Sequence, residues 1–379
     1  MEINRSGSGC QNALRRLFYG APYAKQIGRH QMWMNQQPDS TERSNAVLPC
    51  GVTTEIPNVP MSELTEPGLS LAPAAQHIIW IASYPKSGNT WVRAFIHNLL
   101  KEIGGDTKDV PHDINRMNEH TTWELLAEPY EKLLGKPITQ AHQAEIARVR
   151  PEVQRRLANS RPTPFFAKTH LCLGQDYRYP TINLDATLAV IYLVRNPLDV
   201  TISYAHHSAQ SIDGTILHMK MPNMKVPGNE NNVYEVLGSW SQHVGSWLGL
   251  SSRPVFLMRY EDMLANPERS FALLARFLRL RCSHDQLKSA IEKSSFGELR
   301  RQEQERGFIE KPATAEKFFR DGRAGQWKQN LSEAQINTIC AAHGPMMQRL
   351  GYLPADCGDF VFRGPGARGG AHNVEGRIQ

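Results

Sequence analysis

The sequence has little of what marks several protein classes. Its six cysteines, Cys10, Cys50, Cys172, Cys282, Cys340 and Cys357, lie far apart with no C-x-x-C pair. Neither a zinc cluster nor a disulfide framework is suggested, and reduced thiols in a cytoplasmic setting are expected. The longest apolar stretch, Leu188 to Val194, falls far short of the roughly 20 residues that span a bilayer, so no integral membrane association is expected. No apolar core follows the first charges, which argues against a secretory signal. Charge of one sign is scarce too: 43 Lys+Arg against 37 Asp+Glu leave +6. With no continuous basic stripe carrying interleaved aromatics, nucleic acid is not an expected partner, although an anionic ligand would be favoured. No internal repeat is found. No acidic metal-binding cluster stands near the motifs below, and no metal is expected.

The 379 residues, 40% hydrophobic and 21% charged, have an ordinary globular balance. Residues 1–75 differ from the rest, being rich in Asn, Gln, Ser, Gly and Pro without an apolar period, and read as disordered or loosely attached. Up to Pro38 their only acid is Glu2 against five Lys or Arg, a balance that suits a transit peptide, an unstructured tail or an overlong start. Residues 356–379 read as a flexible, glycine-rich tail. Between them, residues 76–355 alternate short apolar runs with helical patterns. Ile78–Ser83, Leu188–Val194 and Val255–Met258 read as buried strands, with Phe165–Lys168 a weaker one. Helical spacing follows from Val92 to Ile103, after Pro197 and after Pro267. Strands apolar on both faces and separated by helices indicate a three-layer α/β/α arrangement with a mainly parallel sheet. Ligands of such sheets sit at the strands' carboxyl ends, where each distinctive motif is expected to lie. Residues 104–164 read as a mostly helical insertion.

Four segments carry chemistry. Tyr84-Pro85-Lys86-Ser87-Gly88-Asn89-Thr90-Trp91, between a strand and a helix, suits an anion cradle, with Gly88 allowing close approach and free N–H groups at the helix start. It suits a capped turn equally well, and G-x-x-x-x-G-K-[ST] is absent. In Tyr192 to Tyr204, Arg195 at a strand end and Ser203 in the next helix form a pair able to hold a second phosphate; a surface arginine beside a Pro-started helix is the bland alternative. In Phe166-Ala167-Lys168-Thr169-His170-Leu171, Lys168 and His170 share one face of an extended segment, so a base and a cation stand together. The fourth, Phe319-Arg320-Asp321-Gly322-Arg323-Ala324-Gly325-Gln326-Trp327-Lys328, is a flexible cationic loop able to close over an anion, or a solvated one.

Taken together, and in this order, the four segments resemble the cytosolic-type sulfotransferase family across about residues 76–355. The first is similar to its 5′-phosphosulfate loop with Asn89 in place of Thr, the second to its 3′-phosphate motif, the fourth to its R-x-G-x-x-G-x-W-K segment. The resemblance implies a P-loop-NTPase-like sulfotransferase fold and the donor 3′-phosphoadenosine 5′-phosphosulfate (PAPS). It implies that Lys86, Ser87, Gly88, Asn89 and Thr90 grip the 5′-phosphosulfate and that Trp91 stacks on adenine. Arg195 and Ser203, joined by Arg320, Asp321 and Gly322, would bind the 3′-phosphate, and Tyr260, Ser295 and Phe296 would contact adenosine. His170 falls on the catalytic base and Lys168 on its supporting lysine, with Lys86 stabilising the leaving group.

Three departures stand out. Cys172 replaces a proline after His-Leu and is expected to alter the acceptor pocket's edge. Asp321 replaces a frequent lysine, so the loop is expected to hold the 3′-phosphate less tightly. After Trp327 the family's small dimer motif is not matched, leaving the oligomeric state open. A nucleotide kinase and a donor-binding module without catalysis are the competing classes; the missing Gly-Lys-Ser/Thr ending and His170 beside Lys168 argue against them. The acceptor is expected to be a small molecule. A phenol, sterol-like alcohol, lipid, sugar or peptide amine would each fit a pocket edged by residues 104–164 and by His206 to Trp247, which includes Met219, Met221 and Met224.

Overall fold

A computed structural model describes residues 77–105, 112–160, 165–312 and 315–354. The two terminal segments expected to be loose lie outside the described residues. Five strands, β1 (Ile78–Ser83), β2 (Thr121–Trp123), β3 (Phe165–Thr169), β4 (Thr187–Val194) and β5 (Val255–Arg259), form one sheet in the order β2-β3-β1-β4-β5. Every adjacent pair is parallel.

β1 is the middle strand, and all six of its residues are buried. Its side chains divide by parity, as the pleat requires. Ile78, Trp80 and Ala82 enter one core with Val190, Tyr192 and Val194 of β4. Ile79 and Ile81 enter the opposite core with Ile191 and Leu193. Each large side chain so buried contributes about 1.5–3 kcal/mol. Two cores on one sheet make three layers. On the second core pack α1 (Asn89–Gly104), α8 (Pro267–Phe277) and α9 (His284–Lys293), through residues such as Phe95, Phe271 and Leu287. The first core is covered by α3 (Gln143–Asn159), α4 (Pro197–Ser208), α5 (Ile212–Lys220), α6 (Trp240–Leu248) and α12 (Glu333–Arg349), numbered in chain order with α2 (Ala127–Leu134), α7 (Tyr260–Ala265), α10 (Phe296–Arg306) and α11 (Trp327–Asn330).

The expected strands and the three expected helices are present. Two details differ. Residues 104–164 contain α2 and α3 but also β2, which pairs Thr121 with Phe166 and Trp123 with Lys168. Three residues carry too little alternation to announce a strand. The fourth motif follows no strand; it runs from the loop after α10 into the start of α11 and reaches the sheet rim by other means, described below. No described helix is long and apolar enough to cross a membrane.

Candidate active site

β1 runs straight into the loop that begins α1. Gly88 caps that helix at φ 101° with no side chain over its end, leaving the first N–H groups open to an anion. A Cβ there would stand 3.0 Å from the Tyr260 ring, so only glycine lets the tyrosine close against the loop. Lys86 is itself left-handed at φ 66°, a conformation a non-glycine residue holds only where its surroundings impose it. Its ammonium sits 4.2 Å over the Phe318 ring and 3.4 Å from His207 Nδ1. Burial, then the charges of Arg195 and Lys168, bring the Lys86 pKa down to about 7. Asn89 turns the other way: its Nδ2 donates to Ile81 O at 2.9 Å and to Ser83 Oγ at 3.3 Å, tying α1 to β1.

Arg195, at the end of β4, lies 4.2 Å from the Tyr260 ring centre and donates to Lys86 O at 3.2 Å and Arg323 O at 2.9 Å. The cationic loop is held against this point by a residue the sequence reading passed over. Asp199, in the first turn of α4, accepts from Gly325 N at 2.7 Å and Trp327 N at 3.1 Å. Tyr260 Oη adds a bond to Gly322 O at 3.0 Å. Gly322 has φ 70°, and a Cβ on it would meet the Phe296 ring at 2.4 Å. Asp321, the acidic departure, is paired with Arg323, whose side chain holds its carboxyl below the usual range. The loop's added negative charge is therefore locally compensated.

His170, just past β3, has a defined tautomer. Its Nδ1 lies 2.7 Å from Ser83 O, an acceptor only, so Nδ1 carries the proton and Nε2 keeps its lone pair. Burial, then Lys168, pushes its pKa well below 6.5 and keeps the ring neutral. Lys168 stands 4.7 Å over the Trp123 ring and 3.4 Å from Glu310 Oε2. Glu310 also receives both arms of buried Arg93, at 2.6 and 2.8 Å. Burial alone would raise the Glu310 carboxyl, but Lys168 and Arg93 overcome it and hold the pKa down to about 2. Arg93 is further fixed by Thr121 Oγ1 on β2 at 3.1 Å.

Apart from Arg93, Asp199 and Arg323, the charged groups just described open onto one cavity of about 1070 Å³ at the carboxyl rim of the sheet. Lys86, Gly88, Asn89, Thr90, Trp91, Lys168, His170, Arg195, Ser203, Tyr260, Phe296, Arg320, Asp321 and Gly322 all line it. Ser87, fully buried, and Ser295, whose hydroxyl caps α10 at Glu298 N, do not. Arg195 Nε and Trp91 Nε1 are buried without a partner among the described residues, and the cradle is open at the α1 start, so the wall offers unspent donors to an anionic nucleotide. Besides Asp199, the sequence reading missed Arg93, Glu310 and Glu235, none of which lies in a motif. Cys172 accounts for the proline departure: its N–H donates to Val236 O at 2.7 Å, a bond proline lacks. One other group, His97, Glu119 and His120, brings possible ligand atoms within 4.8 Å of one another, and it does not line the cavity.

A cradle at a β-strand–helix junction, a second cationic point on the neighbouring strand and a neutral histidine in one cleft define a group-transfer enzyme acting from an anionic nucleotide. The family model for the Sulfotransferase domain matches residues 76–351, so the chain belongs to the sulfotransferase family and is a sulfotransferase. It is 28% identical to the dog Sulfotransferase 1B1 over 271 residues, covering 68% of this chain and 79% of that protein. To the bovine Sulfotransferase 1A1 it is 27% identical over 275 residues, covering 69% and 80%. A retinol dehydratase solved with androsterone and the inactive cofactor PAP shares the fold at a TM-score of 0.50, with 20% identity over 73% of this chain and 82% of that one.

Proposed function

We propose that the enzyme takes its sulfuryl group from PAPS and gives it to a hydroxyl or amine of a small-molecule acceptor. Bound PAPS supplies an activated sulfur: the acceptor oxygen or nitrogen forms a new bond to sulfur, the bond to the 5′-phosphate oxygen breaks, and adenosine 3′,5′-bisphosphate (PAP) and a proton are released. The observation that carries the reading is His170, neutral and with Nε2 as its only free base, sharing one cavity with Lys86 and Arg195. His170 Nε2 accepts the acceptor's proton, while Ser83 O steadies the cation that results on the ring. Lys86 and the α1 N–H groups hold the 5′ side and meet the charge that grows there. Arg195, Ser203 and the Arg320–Gly322 loop hold the 3′-phosphate, and Trp91, Tyr260 and Phe296 supply aromatic faces for the base. Ser87 and Ser295 serve the loop and the helix cap. Lys168, clamped by Glu310, places a fixed positive charge beside His170. The widely spaced cysteines, with Cys172 and Cys282 in no disulfide among the described residues, support a cytoplasmic location.

The test is turnover of PAPS with a broad acceptor panel by His170→Ala and Lys86→Ala, with PAP affinity measured alongside. His170→Ala loses about 10²–10⁴ in rate with PAP affinity unchanged; Lys86→Ala loses rate and PAP affinity together. Near wild-type rates in both variants would overturn these roles.

A further inference from the structure

We propose that the acceptor is a hydroxyl compound carrying a protonated amine, and that Glu235 with Asn232 binds the ammonium group. The inference rests on the transfer reading above and adds the acceptor's class.

Three carboxylates line the cavity: Glu310, Asp321 and Glu235. Two are spent within the protein, Glu310 on Arg93 and Lys168 and Asp321 on Arg323. Glu235 has no hydrogen bond or ion pair from its side chain to any described residue. On the same wall, Asn232 Oδ1 is buried and likewise lacks a donor. Two acceptor groups without protein donors call for a ligand rich in N–H groups and positive charge, which an ammonium supplies and a neutral alcohol does not.

The wall is built to stay in place. Glu235 and Val236 pair antiparallel with Lys225 and Val226, Ala127 N donates to Asn231 O at 2.8 Å, and Val233 N to Leu125 O at 2.9 Å. The Cys172 N–H bond to Val236 O fastens the strand holding Glu235 to the end of β3, beside His170. The charged groups facing Glu235 are already engaged: Lys168 of β3 with Glu310, and Arg150 of α3 with Tyr234 O. Burial pushes the Glu235 pKa up to about 6, with Lys168 and Arg150 opposing, so at pH 7.5 it is ionised, and its half-buried carboxylate faces the cavity. Glu124, which feels the Glu235 charge, is pushed up to about 8 by burial and is mostly neutral there. Tyr204 of α4, also raised by burial and then by Glu235, stays neutral as well. Trp123, Leu126 and Ile309 supply an apolar stretch for a carbon skeleton.

The experiment compares tyramine with 4-propylphenol, which replaces the ammonium by a methyl group. At pH 7.5 the wild-type enzyme favours tyramine in kcat/KM by about tenfold or more, and Glu235→Gln lowers that ratio at least tenfold. Asn232→Ala, which keeps the charge, lowers it by less. Calorimetric binding of tyramine to the protein–PAP complex makes the same comparison without turnover, and PAP affinity reports that each variant is folded. A wild-type ratio near one, or a ratio unmoved by Glu235→Gln, overturns the amine class while continued sulfation of 4-propylphenol leaves the transfer reading standing. Sulfation of no acceptor, with PAP still bound, overturns both.

Discussion

Replacing Asp199 tests whether the chain itself holds the cationic loop over the nucleotide site. Asp199 is buried and accepts two backbone N–H groups, from Gly325 and Trp327, at 2.7 and 3.1 Å. Hydrogen bonds to a charged acceptor contribute about 1.5–3 kcal/mol each, so the two together contribute about 3–6 kcal/mol. Part of this is retained in Asp199→Ala, because Tyr260 still binds Gly322 O and Arg195 still binds Arg323 O. If half the total reaches the ligand, PAP affinity falls by about 1.5–3 kcal/mol, or about 10–150-fold. Asp199→Asn keeps the volume and one oxygen acceptor, and takes an intermediate value. Losing a first-turn acid also weakens α4 by about 0.3–1 kcal/mol, which lowers melting temperature but not the loop's hold. Calorimetric PAP binding, paired with tryptic cleavage at Arg320 and Arg323, separates the two effects: the loop is cut faster in both variants. Wild-type PAP affinity and an unchanged cleavage rate in Asp199→Ala would refute the reasoning.

Gly322→Ala should weaken PAP binding by tenfold or more, since its Cβ meets the Phe296 ring at 2.4 Å and the residue holds φ 70°; an affinity within twofold of wild type would show that the ring moves aside freely. Lys86 should make PAP binding proton-coupled. Its pKa is held at about 7 by burial and by Arg195 and Lys168, and an added anion favours the charged form, raising that value. Binding at pH 7.5 therefore takes up protons, and the uptake fades towards pH 6, where the amine is already charged. Calorimetry in buffers of differing ionisation enthalpy reads this directly, and the same uptake in Lys86→Met would assign it elsewhere.

How much of this site could be read from sequence follows from where each residue's partner lies. Lys86 and Arg195 stand within a few residues of strands that are apolar on both faces, so the run of Ile78–Ser83 or Leu188–Val194 announces the rim and the motif lands on it, while His170 follows the weaker run Phe165–Lys168. The placement of Lys168 beside His170 needed only the two-residue repeat of an extended chain. Arg93 and Glu310 offer no such signal. They are 217 residues apart, and each taken alone is an ordinary charge on a helix or in a loop. Only the packing of α1 against the segment before the cationic loop makes them a partly buried pair that in turn clamps Lys168. Asp199 was visible as a first-turn acid, the commonest reason for which is the helix dipole, and nothing local tells that its carboxylate faces a loop more than a hundred residues on. Glu235 lies in a two-residue strand, too short for any period to set its facing. Groups that touch a ligand sit in motifs because the ligand fixes their local geometry. Groups that aim them are fixed by tertiary partners, and a charge whose partner is the ligand itself shows only as one left over once every protein partner has been assigned.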